Sequence, residues 1–176
     1  MTDSKNIVLI GMPSSGKTAV GSRLAKLLGR GYEDMDGRLE KRLGIAIAEY
    51  FARFSEAAFR AEEKKLAAEL AQRSGLVIAT GGGVVKDPQN MRLFAENGII
   101  VWLDRSADLL HGTPDRPLSP DDETIRRLYK ERLPLYEKYA DIRICADAGP
   151  SEVADLAAQA LEAYGDGPSS APFLRP

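Results

Sequence analysis

The sequence predicts an α/β fold with three layers, in which a parallel β-sheet carries helices on both faces. Short apolar runs that suit buried strands alternate with segments whose apolar residues recur at helical spacing. Strands that are separated by helices pair in parallel through crossover connections. A phosphate-binding motif joins the first strand to the first helix, as in many folds of this kind. The length of 176 residues suits a single domain.

Each element is assigned from its own pattern. Strands are expected at 6–10, 31–34, 76–79, 99–103 and 142–145. Helices are expected at 16–28, 36–43, 46–54, 56–73, 87–97, 106–110, 123–139 and 151–164, the seventh interrupted by Pro134. Residues 111–121 are rich in glycine, proline and aspartate and are expected to form a mobile lid. Residues 1–164 then form one domain, and residues 165–176 a disordered tail.

The bulk composition narrows the classes of function. Hydrophobic residues make up 44% of the chain and the formal net charge is −2, so we expect neither a nucleic-acid nor a membrane partner. No apolar run approaches the roughly 18 residues of a spanning helix, and the first residues lack a signal-peptide pattern. The single cysteine, Cys145, and the single histidine, His111, exclude an internal disulfide and argue against a zinc site. We expect a cytoplasmic protein that works as a monomer.

The phosphate-binding motif is Gly11-Met-Pro-Ser-Ser-Gly-Lys-Thr18, which matches G-x-x-x-x-G-K-[ST] between a strand and a helix. Its backbone N–H groups, helped by the helix N-terminus, would bind the phosphates of a nucleoside triphosphate. Lys17 would reach the β- and γ-phosphates, and the Thr18 hydroxyl would ligate Mg²⁺. The predicted nucleotide-binding residues are Ser14, Ser15, Gly16, Lys17, Thr18 and Ala19. The motif does not reveal which molecule receives the phosphoryl group.

Ligands of open parallel sheets bind beyond the carboxyl ends of the strands, so the segments 11–18, 34–36 and 81–83 should meet at one site. In an extended chain, Asp34 and Asp36 would point to one side with Met35 opposite. Two carboxylates beside a triphosphate suit Mg²⁺, directly or through water, and an acceptor hydroxyl. Two alternatives remain: Asp36 could cap the next helix, and Asp104, after the fourth strand, is a rival metal ligand.

Glycines and arginines complete the candidate site. The run Gly81-Gly-Gly83 would let the backbone approach a ligand closely. Arg132 lies on an apolar helical stripe and needs an anionic partner, either a protein carboxylate or a ligand. Arg116, in the lid, could stabilise charge on the γ-phosphate. Arg60, by spacing alone, fits a surface ion pair with Glu56.

In the same helix, Phe59, Leu66 and Leu70 are expected to form the buried face, with the charged residues at 62–65 mostly off it.

Taken together, these residues resemble the shikimate kinase family over about residues 6–164. The resemblance rests on an ordered set: the phosphate loop, Asp34-x-Asp36, Phe59-Arg60-x-x-Glu63, Gly81-Gly-Gly83, Arg116-Pro-Leu118 and Arg132-x-Pro134-x-Tyr136. Many nucleotide enzymes share the phosphate loop, whereas the other five elements are far more specific.

The resemblance implies a P-loop kinase fold with strand order 2-3-1-4-5. It implies ATP-dependent phosphorylation of the 3-hydroxyl of shikimate, with Mg²⁺, on the route to aromatic amino acids. It implies that helices within about 36–73 bind the substrate, that Asp36 binds its hydroxyls and takes the proton, and that Asp34 organises Mg²⁺. Arg60 and Arg132 would hold the substrate carboxylate, and the backbone near Gly82 would contact shikimate. Lys17 and Arg116 would act in catalysis on the ATP side.

Some positions depart from the family pattern. Ser14 stands where glycine is common, which would make the loop stiffer, and Ser119 stands where leucine is usual. Two arginines that the family often has near the nucleotide are absent from residues 110–113 and 147–150. A kinase of the same fold for gluconate or a nucleotide is the main alternative. A nucleotide-dependent switch is disfavoured because the Asn-Lys-x-Asp guanine motif is missing, and a binding-only homologue because Lys17, Asp34, Asp36 and Arg116 occur together.

Overall fold

The computed structural model describes residues 4–113 and 117–165. Within them a parallel sheet of five strands has the order β2-β3-β1-β4-β5, which confirms the predicted fold class. The strands are β1 (Asn6–Ile10), β2 (Gly31–Asp34), β3 (Leu76–Ala79), β4 (Gly98–Asp104) and β5 (Ile142–Cys145). β1 is central, and its Ile7 is in register with Val77 of β3 and Ile99 of β4.

Seven α-helices cover the two faces of the sheet in the described residues. They are α1 (Lys17–Leu27), α2 (Met35–Leu43), α3 (Ile47–Arg53), α4 (Glu56–Ala71), α5 (Pro88–Glu96), α6 (Asp122–Tyr139) and α7 (Pro150–Gly165). Two single 3₁₀ turns are formed by Val84–Lys86 and Ala107–Leu109, so the short helix expected at 106–110 is a 3₁₀ turn. None of these helices is both long and apolar enough to cross a bilayer.

The core consists of two layers because the side chains of each buried strand alternate between the faces of the sheet. Ile7 and Leu9 of β1 point to the layer that includes α1 and α7, whereas Val8 and Ile10 point to the layer that includes α4, α5 and α6. Burial on both faces explains why the strands read as continuous apolar runs.

The helix α6 is continuous through Pro134, so the predicted interruption is wrong. Proline removes one backbone hydrogen bond and costs roughly 3 kcal/mol in a helix interior. Buried residues on both sides of it, among them Leu128 and Tyr136, hold the two halves on one packed face. Tertiary packing of that face therefore outweighs the local penalty.

The predicted tail at 165–176 lies outside the described residues except for Gly165, which ends α7.

Candidate active site

A cavity of about 590 Å³ lies at the carboxyl ends of β1, β2 and β3. Its walls bring together the three segments that the sequence places after these strands. The predicted site residues that line it are Ser14, Gly16, Lys17, Thr18, Ala19, Asp34, Asp36, Arg60, Gly82 and Arg132. Pro117, Leu118 and Ser119, from the segment predicted to form a lid, also line the cavity. The three turns therefore meet around a single space, as parallel sheets of this kind require.

The phosphate loop is held by its own lysine. Lys17, only 8% exposed, donates hydrogen bonds from Nζ to the carbonyl oxygens of Gly11 and Met12, at 2.9 and 2.7 Å. Gly16, with φ of 93°, precedes α1 and provides no side-chain cap, so the first N–H groups of α1 are not capped by it. Uncapped N–H groups and the positive end of the helix dipole favour an anion at this point.

Thr18 and Asp34 place two side-chain oxygen atoms next to each other beside the loop. The Thr18 hydroxyl donates to Asp34 Oδ2 at 2.8 Å, and Tyr32 donates its hydroxyl to the Thr18 carbonyl at 3.0 Å. Burial raises the pKa of Tyr32, and the nearby Asp34 charge adds to this, so the phenol stays a neutral donor. In the described residues no group of three metal-ligating His, Cys, Asp or Glu side chains occurs. One hydroxyl and one carboxylate fit Mg²⁺, which typically takes only one or two protein carboxylates and completes its shell with phosphates and water.

Asp34 also caps α2, which corrects two expectations about the aspartate pair. Asp34 Oδ1 accepts hydrogen bonds from the backbone N–H groups of Asp36 and Gly37, at 3.0 and 3.3 Å. The helix therefore begins at Met35, so Asp36 is neither the cap nor part of an extended segment. It lies in the first helical turn, where the dipole favours an acidic side chain, and lines the cavity from there.

The three glycines after β3 let other parts of the site pack directly against the backbone. A Cβ atom on Gly81 would lie 3.0 Å from Asp36 Oδ1 and 3.0 Å from Glu63 Oε1. A Cβ on Gly82 would lie 2.7 Å from the Pro13 ring, and one on Gly83 would overlap the Arg60 guanidinium. The glycine run therefore does allow other atoms to lie close to its backbone, as predicted, and protein side chains fill part of that space.

Arg132 is a buried residue that lines the cavity. It is 2% exposed and donates from Nη1 to the Gly82 carbonyl at 2.9 Å. Tyr136, one turn later, donates its hydroxyl to the same carbonyl at 2.8 Å, and burial raises the pKa of Tyr136 to about 12. The Nε of Arg132 is buried without a hydrogen-bond partner among the described residues. A buried guanidinium with an unused donor is suited to an anionic ligand.

Arg60 is bound by two carboxylates rather than one. Its guanidinium pairs with the half-exposed Glu56 at 3.3 Å, as helical spacing predicted, and with the buried Glu63 at 2.8 Å. Glu63 is 2% exposed, so the expectation that it lies off the buried face is wrong. Phe59, Glu63, Leu66 and Leu70 recur at i, i+4, i+7 and i+11, and this spacing could have identified the buried glutamate.

Burial raises the pKa of Glu63, and the Asp36 charge adds to it, while the two arginines Arg60 and Arg132 oppose the shift.

Asp104, the rival metal ligand, lies outside the cavity. Its carboxylate pairs with Arg143 on the neighbouring strand β5 at 2.7 Å and accepts a weak hydrogen bond from Tyr129. This ion pair accounts for the acidic residue at the end of β4 without a bound metal.

Comparison with known proteins identifies the family of this chain. The family model described as shikimate kinase matches residues 13–162. The chain belongs to the shikimate kinase family. A shikimate kinase from Thermodesulfovibrio yellowstonii is 39% identical over 171 residues, which cover 93% of this chain and 98% of the relative. A solved structure, a shikimate kinase from Acinetobacter baumannii in complex with shikimate, has a TM-score of 0.88 and 33% identity, covering 93% of this chain and 96% of that chain.

More distant structures share only the fold. A gluconokinase from Sinorhizobium meliloti has a TM-score of 0.58 and 16% identity, covering 94% of this chain and 99% of that chain. At this identity the likeness shows the fold alone and does not distinguish one acceptor from another.

Arg116, the lid arginine of the shikimate kinase pattern, lies outside the described residues. The next three lid residues do line the cavity, and Ser119 is 2% exposed. The Ser119 carbonyl accepts a hydrogen bond from the Thr113 N–H at 3.0 Å, within the segment predicted to form a lid. The role of Arg116 in a shikimate kinase of this sequence stays a prediction.

The family departure at Ser14 has a structural consequence. Ser14 has φ of 65°, the left-handed region that favours glycine, and its hydroxyl donates to the His111 carbonyl at 2.9 Å. We expect Ser14→Gly to be more stable than Ser14→Ala by about 1 kcal/mol, because both remove the hydroxyl but only glycine relieves the backbone. Thermal unfolding of the two variants measures this difference. Equal stabilities would show that the backbone at Ser14 is not strained.

The contact between Gly83 and Arg60 gives a second prediction. Gly83→Ala is expected to raise the KM for shikimate about tenfold, because the new methyl group would displace the Arg60 guanidinium and weaken the charge-assisted hydrogen bond that Arg60 is predicted to make to the substrate. The control is Gly149→Ala, since a Cβ at Gly149 meets nothing within 4 Å. Steady-state kinetics test both, and equal KM values in the two variants would contradict the assignment of Arg60.

Proposed function

We propose that this protein transfers the γ-phosphoryl group of ATP to the 3-hydroxyl of shikimate, giving shikimate 3-phosphate and ADP, in the formation of aromatic amino acids. Membership of the shikimate kinase family supports the reaction. The observation that carries the choice of acceptor is the Arg132 guanidinium, buried in the cavity wall with an unused donor. A compact polyhydroxy acid has the carboxylate that such a group needs.

The phosphate side of the cavity binds ATP. Backbone N–H groups of residues 14–19 surround the phosphates, and the Lys17 ammonium leaves its loop carbonyls to reach the β- and γ-phosphates. Thr18 and Asp34 would hold Mg²⁺, directly or through water. When bound, Mg²⁺ neutralises charge on the phosphates. Arg116 would add positive charge from the lid, whose closure excludes water.

The acceptor side of the cavity orients shikimate. Arg60 and Arg132 approach from α4 and α6, so two fork-shaped donors can hold one carboxylate. Asp36 faces the substrate hydroxyls and accepts the proton that the attacking 3-hydroxyl loses. The main contribution of these residues is positioning, since phosphoryl transfer needs little covalent help from the protein.

A coupled ADP-release assay with a small panel of acceptors tests the proposal. We expect turnover with shikimate and Mg·ATP, and little with gluconate or CMP. Turnover with gluconate or CMP instead of shikimate would identify a kinase of the same fold with another acceptor.

We also propose that the enzyme works as a monomer in the cytoplasm, where ATP is supplied. Light scattering coupled to size-exclusion chromatography tests the monomer, and a dimer mass would contradict it.

A further inference from the structure

Four charged side chains lie along the glycine run 81–83 at the acceptor end of the cavity. Arg60 and Arg132 carry positive charge, and Asp36 and Glu63 carry negative charge, so the cluster is neutral as a whole. All four line the same space. The proposed mechanism uses Asp36 and both arginines, but it leaves Glu63, the most buried carboxylate of the cluster, without a role.

The two carboxylates face each other across Gly81. A Cβ on that glycine would lie 3.0 Å from an oxygen of each, so the two oxygens are at most twice that distance apart. At such separations like charges disfavour simultaneous ionisation, most strongly where water is excluded. The strongest interaction that favours the charged form of Glu63 is its 2.8 Å contact with Arg60.

The surroundings of Glu63 comprise few other charges. Asp36 acts on it from α2, Arg60 from its own helix and Arg132 from α6. In the 3₁₀ turn Val84–Lys86, Lys86 pairs with Glu56 at 3.6 Å and not with Glu63. On the far side of α4, Lys64 pairs with Asp87 at 3.3 Å. Among the described residues, the cations that act on Glu63 are Arg60 and Arg132, and a new negative charge beside them competes with the two carboxylates that they already face.

We propose that Glu63 takes up a proton when the substrate carboxylate binds to Arg60 and Arg132. This inference rests on the proposed function. The substrate enters as an anion, one proton from solvent bonds to a Glu63 oxygen, and no other bond changes, so the cluster remains neutral. Glu63 does not touch the reacting atoms. It is a positioning residue that pairs with Arg60 as a carboxylate in the free protein. In the complex it is neutral, and the substrate carboxylate pairs with Arg60 instead.

The proposal gives the pH dependence of substrate binding a definite sign. Because binding adds a proton, affinity for shikimate is greatest at low pH and falls as pH rises above the pKa of Glu63 in the free protein. When one full proton is taken up, Kd rises about tenfold per pH unit, until pH exceeds the pKa of Glu63 in the complex. Burial and the Asp36 charge raise the starting pKa of Glu63, which brings this window toward neutral pH.

Titration calorimetry of shikimate binding, without nucleotide or metal, tests the proposal. The measurement is repeated in buffers of different ionisation enthalpy, which gives the number of protons taken up. We expect uptake of up to one proton by the natural protein and none by Glu63→Gln, which still binds shikimate. Glu56→Gln is the matched control, since Glu56 also pairs with Arg60 but is half exposed, and it should keep the uptake.

The outcomes are separable. Clear binding without proton uptake between about pH 6 and pH 9 would overturn the inference and leave the proposed function standing. Uptake that persists in Glu63→Gln would assign the proton to another group, such as Asp36, and would also overturn it. No binding heat with shikimate would contradict the proposed function itself. Should Glu63→Gln fail to fold, infrared difference spectra of the natural protein decide: a protonated-carboxyl band on binding supports the proposal, and its absence overturns it.

Discussion

Replacing Lys17 by alanine is expected to lower kcat about a thousandfold, the size of effect seen when a preorganised donor to transition-state charge is removed. The lysine is 8% exposed and lies inside the phosphate loop, so no neighbouring cation can take its place without moving the loop. The shikimate KM should change little, because the acceptor end of the cavity is intact. Steady-state kinetics at saturating Mg·ATP measure the loss.

The same substitution removes two hydrogen bonds to the carbonyls of Gly11 and Met12. We expect a loss of stability of about 1 kcal/mol, or about 3 °C in Tm, which is too small to unfold the protein. Lys26→Ala is the matched control, since Lys26 is exposed in the last turn of the same helix. A Lys17→Ala variant that keeps natural kcat would show that the loop does not act on the transferred phosphoryl group.

Arg132→Ala is expected to raise the KM for shikimate about 100-fold, since losing one partner of a buried charge pair costs about 3 kcal/mol. kcat should fall far less, because the carboxylate is remote from the reacting hydroxyl and contributes equally to ground-state and transition-state binding. Tyr136 keeps its hydrogen bond to the Gly82 carbonyl, which limits damage to the fold. Initial rates over a range of shikimate concentrations separate the two parameters.

Two further variants sharpen this result. Arg132→Lys keeps the charge but loses the fork, so its KM should lie between those of the natural protein and the alanine variant. Arg127→Ala removes an exposed arginine of the same helix and should leave KM unchanged. An unchanged KM in Arg132→Ala would refute the role of this residue in carboxylate binding.

The elements that sequence reasoning predicted well are those fixed by local pattern. The phosphate loop is a contiguous motif, and the strands are short apolar runs between turn residues, so neighbouring residues alone determine them. Arg132 was also predictable as a buried cation, because one charged residue interrupts an otherwise apolar helical stripe. Its partner was not, since nothing in the local pattern brings Gly82, 50 residues away, to its side.

The errors come from tertiary context or from competing local interactions. Asp34 and Asp36 were expected to share an extended segment, but a single carboxylate cap starts the helix one residue after Asp34. Glu63 was grouped with its charged neighbours, although its position on the apolar stripe indicated burial. Pro134 was expected to break a helix that its packed face keeps intact. In each case the residue type suggested one environment and its spacing or packing imposed another.

The only tryptophan of the sequence, Trp102, gives the protein an intrinsic optical reporter of its acceptor site. Its ring stacks on that of Tyr136, with centroids 5.8 Å apart, and the Arg143 guanidinium lies 4.4 Å from its ring centroid. Tyr136 shares the Gly82 carbonyl with Arg132, so an indole buried in the core is only one side chain away from the guanidinium that would hold the substrate. Occupancy of the acceptor site should therefore change the emission of unlabelled protein.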